Sequence, residues 1–218
     1  MNLFPFQELG RDHLAGQRVA LLADDMGLGK SITAVRATEV EPADRVTVVC
    51  PAVMVDEWLS GESGFRLAGD VPRSVAVLGR KGPDPATADV VLSSYDRAAK
   101  PEAAAMLAAR GGHVIFDEAH ALKEPESKRT LTLLGYNGPA DNAAKVSFLT
   151  GTPAPNHAGE LFGMLAAAGR YRGDYAAFLG EYCHTRSTPY GEKVTGYKNA
   201  AGLRALQGGK NQPCCRAP

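Results

Sequence analysis

Short runs of apolar, often β-branched residues alternate along the chain with longer stretches of helical periodicity. Most of these runs show no in-and-out alternation, which is typical of strands covered by helices on both faces. The predicted strands are Val19–Leu22, Arg45–Cys50, Ser74–Leu78, Val90–Ser93, His113–Asp117 and Lys145–Leu149. The predicted helices are roughly Phe6–Leu14, Lys30–Val40, Val53–Ser60, Pro101–Arg110 and Glu160–Ala168. This order predicts an α/β fold with a mostly parallel, doubly wound sheet that binds its ligands at the carboxyl ends of the strands.

The composition fits one globular domain and narrows the possible partners. The chain has 218 residues, of which 44% are apolar and 22% charged, enough to bury a core. Its 24 basic and 24 acidic side chains cancel, which argues against a general polybasic DNA binder but not against a local basic track. No apolar run approaches the roughly 18–20 residues of a membrane span, and no signal peptide is evident. We therefore expect a cytoplasmic protein without a membrane partner and, from about Thr185 onward, a polar region without further strands.

The strongest chemical signal is the segment DDMGLGKS, which separates an apolar strand from a helix. A phosphate-binding loop needs backbone N–H groups at a helix N-terminus and glycines where side chains would collide with the polyanion. In such a loop Lys30 would reach the β- and γ-phosphates and Ser31 would bind Mg²⁺. The strict GxxxxGK(S/T) pattern places glycine where this chain has Asp24, but a plain glycine-rich turn would not explain a GKS that opens a helix. The predicted nucleotide-binding residues here are Met26, Gly27, Leu28, Gly29, Lys30 and Ser31.

A second signal is the acidic pair Asp117 and Glu118, which follows the apolar run HVIF. An acidic residue at the tip of such a strand is where a P-loop ATPase holds Mg²⁺, and an adjacent glutamate can polarise the attacking water. The alternative is a solvated pair that caps the following helix. Because the pair lies downstream of a phosphate loop, on a later strand of the same predicted sheet, we predict that Asp117, Glu118 and Lys30 carry the catalytic chemistry, with Asp117 also at the metal.

A third signal is LTGTP at positions 149–153, after another apolar strand. Small hydroxyl side chains at a strand end, here Thr150 and Thr152, can relay hydrogen bonds from a phosphate site to another surface. An ordinary turn would also explain the glycine and the proline. The segment is informative mainly because it follows the glycine-rich segment and the acidic pair in the chain.

These segments, in this order, resemble the superfamily-two helicases, and more narrowly the Swi/Snf-type DNA-dependent ATPases. Further segments fall in the order of that family: LFPFQ at 3–7, VTVVCPAVMVDEW at 46–58, VVLSSYD at 90–96 and HALKEPESKRT at 120–130. Several positions between Phe178 and Leu203 resemble the branch that includes the fork-remodelling annealing helicases. The resemblance covers roughly residues 3–206.

The resemblance implies a RecA-like first lobe that binds ATP and Mg²⁺. Gln7 would contact the adenine base, and His120 with Thr150 and Thr152 would couple the state of the ATP to DNA contact. DNA binding would not be sequence-specific and would be weak and salt-dependent for one lobe. The alternative for the basic residues among the implied DNA contacts is an ordinary solvated helix face. DNA binding would place the protein at the nucleoid, or in the nucleus if the host is a eukaryote. The implied DNA contacts are Ser94, Tyr95, Lys123 and Arg129.

The resemblance stops after residue 206, which divides the chain into a lobe at 1–206 and an unmatched tail at 207–218 that we expect to be disordered. The family continues into a second lobe that donates arginines to the active site and half of the DNA track, and a separate polypeptide could supply it. Two alternatives stay open. One is a lobe that binds nucleotide or a partner without turnover. The other is a P-loop kinase or small-molecule ATPase, which would leave LTGTP and SSYD unexplained.

Overall fold

The computed structural model describes residues 2–40, 45–154, 156–188 and 191–206. Its main sheet contains the strands β1 (Val19–Leu22), β2 (Val46–Cys50), β3 (Val75–Val77), β4 (Val90–Ser94), β5 (His113–Asp117) and β6 (Lys145–Leu149). All neighbouring strands in this sheet are parallel, in the spatial order β1-β6-β5-β2-β4-β3. The predicted parallel α/β fold is therefore confirmed, with each strand within one residue of its predicted bounds at either end.

Helices flank the sheet, and some of them were not predicted. They are α1 (Pro5–Gly16), α2 (Lys30–Val40), α3 (Val55–Ser60), α4 (Tyr95–Ala98), α5 (Pro101–Arg110), α6 (Lys128–Leu134), α7 (Phe162–Ala167), α8 (Tyr175–Tyr182) and α9 (Ala200–Leu206). The helices not predicted from the sequence are α4, α6, α8 and α9. The starts of α6 and α8 carry a side-chain cap, because Ser127 Oγ accepts from the Thr130 N–H at 3.2 Å and Asp174 Oδ1 accepts from the Ala177 N–H at 2.7 Å. None of the helices in the described ranges combines the length and apolar character needed to cross a membrane.

The core lies on both faces of the sheet, as the continuous apolar runs predict. Strand β5 shows the arrangement: Val114 and Phe116 belong to one apolar cluster, and Ile115 belongs to the cluster on the opposite face. On the first face the ring of Phe116 stacks on that of Phe148, with the ring centroids 5.5 Å apart. Because this layer packs directly beneath the end of β5, it fixes where Asp117 leaves the sheet.

The expectation of no further strand beyond Thr185 is wrong. Strands β7 (Cys183–Thr188) and β8 (Gly191–Tyr197) form an antiparallel hairpin outside the main sheet. Its residues are mostly polar, so no apolar alternation marks it, but threonine, valine and tyrosine favour extended backbone. The base of the hairpin is anchored where Lys198 N–H donates to the Tyr182 carbonyl at 2.8 Å. The tail at 207–218 lies outside the described residues, so its disorder stays a prediction.

His113 opens β5 as a buried side chain, and its environment predicts a pH-dependent stability. Its Nε2 lies 2.8 Å from Ser147 Oγ, and burial, helped by Lys145 and Arg73, lowers the pKa of His113 to about 4. An unfolded histidine titrates near pH 6.5, so between about pH 6.5 and pH 4 the unfolded state binds the proton and the native state does not. We expect the free energy of unfolding to fall by about 3 kcal/mol through this group as the pH drops across that window.

Urea unfolding at several pH values would check this expectation. His113→Gln removes the ionisable group and should flatten the dependence in this window, whereas His184→Gln, at an exposed position, should not. Equal pH dependence in the wild type and in His113→Gln would contradict the assignment.

Candidate nucleotide-binding site

Three predicted segments meet at the carboxyl edge of the sheet because β1, β6 and β5 are neighbours there. Leu22 is paired with Leu149, and Leu149 is paired in turn with Asp117. The Thr150 N–H donates to the Leu22 carbonyl at 3.1 Å, which joins the exits of β1 and β6. The glycine-rich loop, the acidic pair and the LTGTP segment are therefore adjacent in space as well as ordered in sequence.

The loop at 24–29 has the backbone that its glycines predict. Gly27 and Gly29 have φ values of 83° and 75°, in the left-handed region that favours glycine. A Cβ on Gly29 would also lie 2.5 Å from Gln7 Nε2, so a side chain there would displace the Gln7 amide in addition to straining the backbone. Asp24 does not have a left-handed φ, which explains why the glycine of the strict pattern is not needed at this position.

Lys30 lies beneath this loop at the start of α2. Its Nζ donates to the carbonyls of Asp24 and Asp25, at 2.9 and 3.1 Å. Asp24 itself is buried; burial raises the pKa of its carboxyl and Lys30 opposes that rise. The next residue, Ser31, is partly exposed in the first turn of the helix, and Met26 is exposed at the tip of the loop. The N-terminus of α2, the Lys30 side chain and the Ser31 hydroxyl are thus all found where the glycine-rich loop ends.

Gln7 connects α1 to the loop. Its Oε1 accepts from the Phe4 N–H at 3.0 Å, and its Nε2 donates to the Leu28 carbonyl at 3.0 Å. The side chain is largely buried. The structure therefore places the predicted base-contacting residue directly against the phosphate-loop segment.

Asp117 ends β5 as a buried carboxylate that accepts two hydrogen bonds. Its Oδ1 accepts from the Glu118 N–H at 3.0 Å, and its Oδ2 accepts from the indole N–H of Trp58 at 2.8 Å. Burial raises the pKa of Asp117, and the bond from Trp58 lowers it. In the sequence, Trp58 stands out only as the last residue of the family-like segment at 46–58. Its contact with Asp117 has no sequence signal, since 59 positions separate the two residues.

Glu118 and the predicted coupling residues form a continuous polar chain. Glu118 has a left-handed φ of 48°, a strained conformation for a residue with a side chain. Its Oε2 lies 3.2 Å from His120 Nδ1, which lies 3.4 Å from Thr150 Oγ1. Thr150 Oγ1 also accepts from the Thr152 N–H at 3.2 Å. The acidic pair is thus linked through the imidazole to the LTGTP segment.

The structure corrects one predicted DNA contact and constrains two others. Tyr95 is only 4% exposed, and its hydroxyl donates to the Asp117 carbonyl at 2.8 Å, so its side chain faces the core and not DNA. Arg129 lies over the Tyr95 ring, 5.7 Å from the centroid, and its Nη2 donates to Asp96 at 2.7 Å. The ammonium of Lys123 lies 3.5 Å from the buried carboxylate of Glu160. Lys123 and Arg129 therefore already have carboxylate partners. Ser94, the fourth predicted contact, is partly exposed and directly precedes α4.

The donor set fits ATP with Mg²⁺. A serine hydroxyl and a carboxylate are hard oxygen ligands, and Mg²⁺ is commonly held by one or two such groups together with phosphate and water. Within the described ranges no three histidine, cysteine, aspartate or glutamate side chains form a dedicated metal cluster. Ser31 and Asp117 would hold the ion, and Lys30 with the loop N–H groups would hold the phosphates.

Comparisons with known proteins identify the family of this chain. A model of the SNF2-related domain matches residues 12–171. The protein named SWI/SNF-related matrix-associated actin-dependent regulator of chromatin subfamily A-like protein 1 is 29% identical in Drosophila melanogaster and 32% identical in Bos taurus, each over 94% of this chain. This chain spans only 27% and 22% of those two relatives.

Solved structures share the fold. The Sulfolobus solfataricus SWI2/SNF2 ATPase core in complex with dsDNA superposes with a TM-score of 0.67 at 22% identity, covering 84% of this chain and 39% of that one. The Pyrococcus furiosus Hef helicase domain gives a TM-score of 0.56 at 19% identity, covering 75% and 36%. Since the family model matches well over half of the sequence, the chain belongs to the SNF2-related domain family, and its fold is that of one part of a SWI2/SNF2 ATPase core.

Proposed function

We propose that this chain is the ATP-binding lobe of a DNA-dependent ATPase that couples ATP hydrolysis to movement on DNA or to its remodelling. The observation that carries the proposal is the meeting of Lys30, the acidic pair and the LTGTP segment at one sheet edge. The second lobe of such an enzyme would come from further sequence of a longer protein or from another polypeptide. The relatives' names refer to chromatin, and one structural neighbour was solved with dsDNA, which supports DNA as the partner.

Each site residue then has a role that follows from its position. Lys30 and the N–H groups at 26–31 bind the phosphates, Ser31 and Asp117 hold Mg²⁺, and Gln7 contacts the base. The bound metal supplies positive charge at the phosphates. Glu118 takes the proton of the attacking water. His120, Thr150 and Thr152 then pass the change at the phosphates to the surface of the lobe.

DNA contact by the remaining predicted residues is part of the proposal. Ser94 ends β4, and Lys123 and Arg129 lie on segments that follow β5, at the same edge of the sheet as the nucleotide site. For Lys123 and Arg129 a phosphate of DNA would have to compete with Glu160 and Asp96. We therefore expect weak, salt-sensitive and sequence-independent binding by this lobe. The cytoplasmic location stays a prediction. Because DNA is the proposed partner, we propose that the protein acts in the compartment that holds the cell's DNA.

A protein of these 218 residues alone should bind Mg·ATP weakly, hydrolyse it slowly and respond little to DNA. The reason is that one lobe has no partner to close against and receives no arginine from a second lobe. Such an arginine is worth on the order of 10³–10⁵ in rate in related phosphoryl transfer. Steady-state ATP hydrolysis with and without double-stranded DNA would measure this.

Adding a purified second lobe from a relative would separate the alternatives. Restored DNA-stimulated turnover would support the translocase assignment, whereas nucleotide binding that never leads to turnover would favour a non-catalytic lobe. Robust DNA-dependent hydrolysis by the 218-residue chain alone would contradict the expectation.

A further inference from the structure

The buried indole of Trp58 is fixed in place by its surroundings. Trp58 is 1% exposed, near the end of α3, and its ring packs against that of Phe65 with the centroids 6.0 Å apart. The Phe65 N–H donates to the Trp58 carbonyl at 3.0 Å, and a Cβ on Gly64 would come within 2.8 Å of the same oxygen. A residue without a side chain is therefore required where the chain turns back over α3, and this turn holds the indole against the end of β5.

Asp117 is held from three directions. Its two carboxylate oxygens accept from Trp58 and from the Glu118 N–H, while its carbonyl accepts from the Tyr95 hydroxyl. In a buried site a bond from a neutral donor to a carboxylate is strong, and leaving the donor unsatisfied is costly. The carboxylate cannot rotate without breaking one of these bonds, so its remaining lone pairs have fixed directions.

We propose that Trp58 is a positioning residue for the metal-binding carboxylate: its indole N–H orients Asp117 so that the free lone pairs face the Mg²⁺ that accompanies the nucleotide. The inference rests on the proposed function, in which Asp117 binds the metal. Groups that orient metal ligands by hydrogen bonding commonly change metal affinity by about ten- to a hundredfold when they are removed.

The test uses the fact that the chain contains one tryptophan. A proton–nitrogen correlation spectrum of the 218-residue protein should therefore show a single indole N–H signal. We expect this signal to move when Asp117 is changed to Asn without nucleotide, and to move in the wild type on addition of Mg·ADP. ADP with a chelator in place of Mg²⁺ should produce a much smaller change.

Calorimetry supplies the second measurement. Trp58→Phe keeps a ring in the pocket but removes the donor, and should weaken the Mg²⁺-dependent part of ADP binding by about ten- to a hundredfold while leaving binding in chelator unchanged. Tyr95→Phe is the matched control, since it removes a bond to the Asp117 carbonyl and leaves both bonds to the carboxylate. An equal effect of the two variants would overturn the role of the indole N–H.

The outcomes separate the two proposals. If the wild type binds ADP with no dependence on Mg²⁺, or does not bind it, the proposed function fails and this inference with it. If binding depends on Mg²⁺ but the indole signal stays in place, the proposed function stands and the inference alone is overturned. If Trp58→Phe does not fold, the indole signals of the wild type and of Asp117→Asn still test whether the indole N–H responds to Asp117 and to Mg²⁺.

Discussion

Replacing Lys30 with alanine should lower the affinity for Mg·ATP by on the order of a hundredfold or more, because hydrogen bonds from a charged donor are among the strongest single contacts. The Lys30 ammonium lies within hydrogen-bond distance of two loop carbonyls, from which it can move to the phosphates. Its removal would also take away the positive charge that acts on the carboxyl groups of Asp24 and Asp117, at the place where the phosphates would bind. Repulsion between these carboxyl groups and the phosphates would then lower the affinity further, beyond the loss of the Lys30 contact.

Titration calorimetry with Mg·ATP would measure this loss. Lys100→Ala, at an exposed position away from the loop, is the matched control for removing one positive charge. Thermal unfolding of both variants would show whether the fold is intact, since the loop carbonyls lose a donor in Lys30→Ala. Unchanged affinity in Lys30→Ala would refute the phosphate-loop assignment.

Changing Glu118 to glutamine should leave Mg·ATP binding intact and slow hydrolysis by about 10²–10⁴-fold, the usual contribution of a general base. The amide keeps the shape of the side chain and can still contact His120, but it cannot accept the proton of water. The left-handed backbone at this position is no harder for glutamine than for glutamate. Single-turnover hydrolysis, with a second lobe present if turnover is too slow, would measure the effect.

Asp117→Asn is the informative comparison for Glu118→Gln. An asparagine side chain at this position has one oxygen and one NH₂ group, so it cannot accept from both the Trp58 and the Glu118 N–H groups. We expect this variant to weaken the Mg²⁺ dependence of nucleotide binding, which Glu118→Gln should leave alone. Identical behaviour of the two variants in binding and in turnover would contradict the separate roles.

Most of the sheet could be predicted from the sequence because its strands are buried on both faces. The run VTVVC is apolar apart from one threonine, and all five of its residues are buried in β2. The site segments could also be predicted, since each follows such a run and parallel strands place their carboxyl ends at one edge. The conclusion that Asp117 and the glycine-rich loop are close needed the strand order as well, because β6 separates their strands.

The contacts that could not be predicted depend on which way a side chain points. Tyr95 and Asp96 are sequence neighbours at the start of α4, yet the tyrosine is buried while the aspartate is exposed. Lys123 could equally have faced solvent, and only the fold brings it to Glu160. The β7–β8 hairpin was missed for another reason: apart from Cys183, the residues of its strands whose side chains are described are exposed or half-buried, so the hydrophobic periodicity that identifies buried strands is absent there.

The position of β1 in the sheet has a consequence for the order in which the lobe is completed. Although β1 is the first strand of the described sheet along the chain, its partner there is β6, the last strand of that sheet. Strands β2, β4 and β5 can pair with one another earlier during synthesis, whereas β1 and the loop that follows it gain β6 as a neighbour only after Leu149 has left the ribosome. If ATP binds at the proposed site, we expect it to stabilise the finished lobe, whereas the growing chain has to form its first strand pairs without bound ATP.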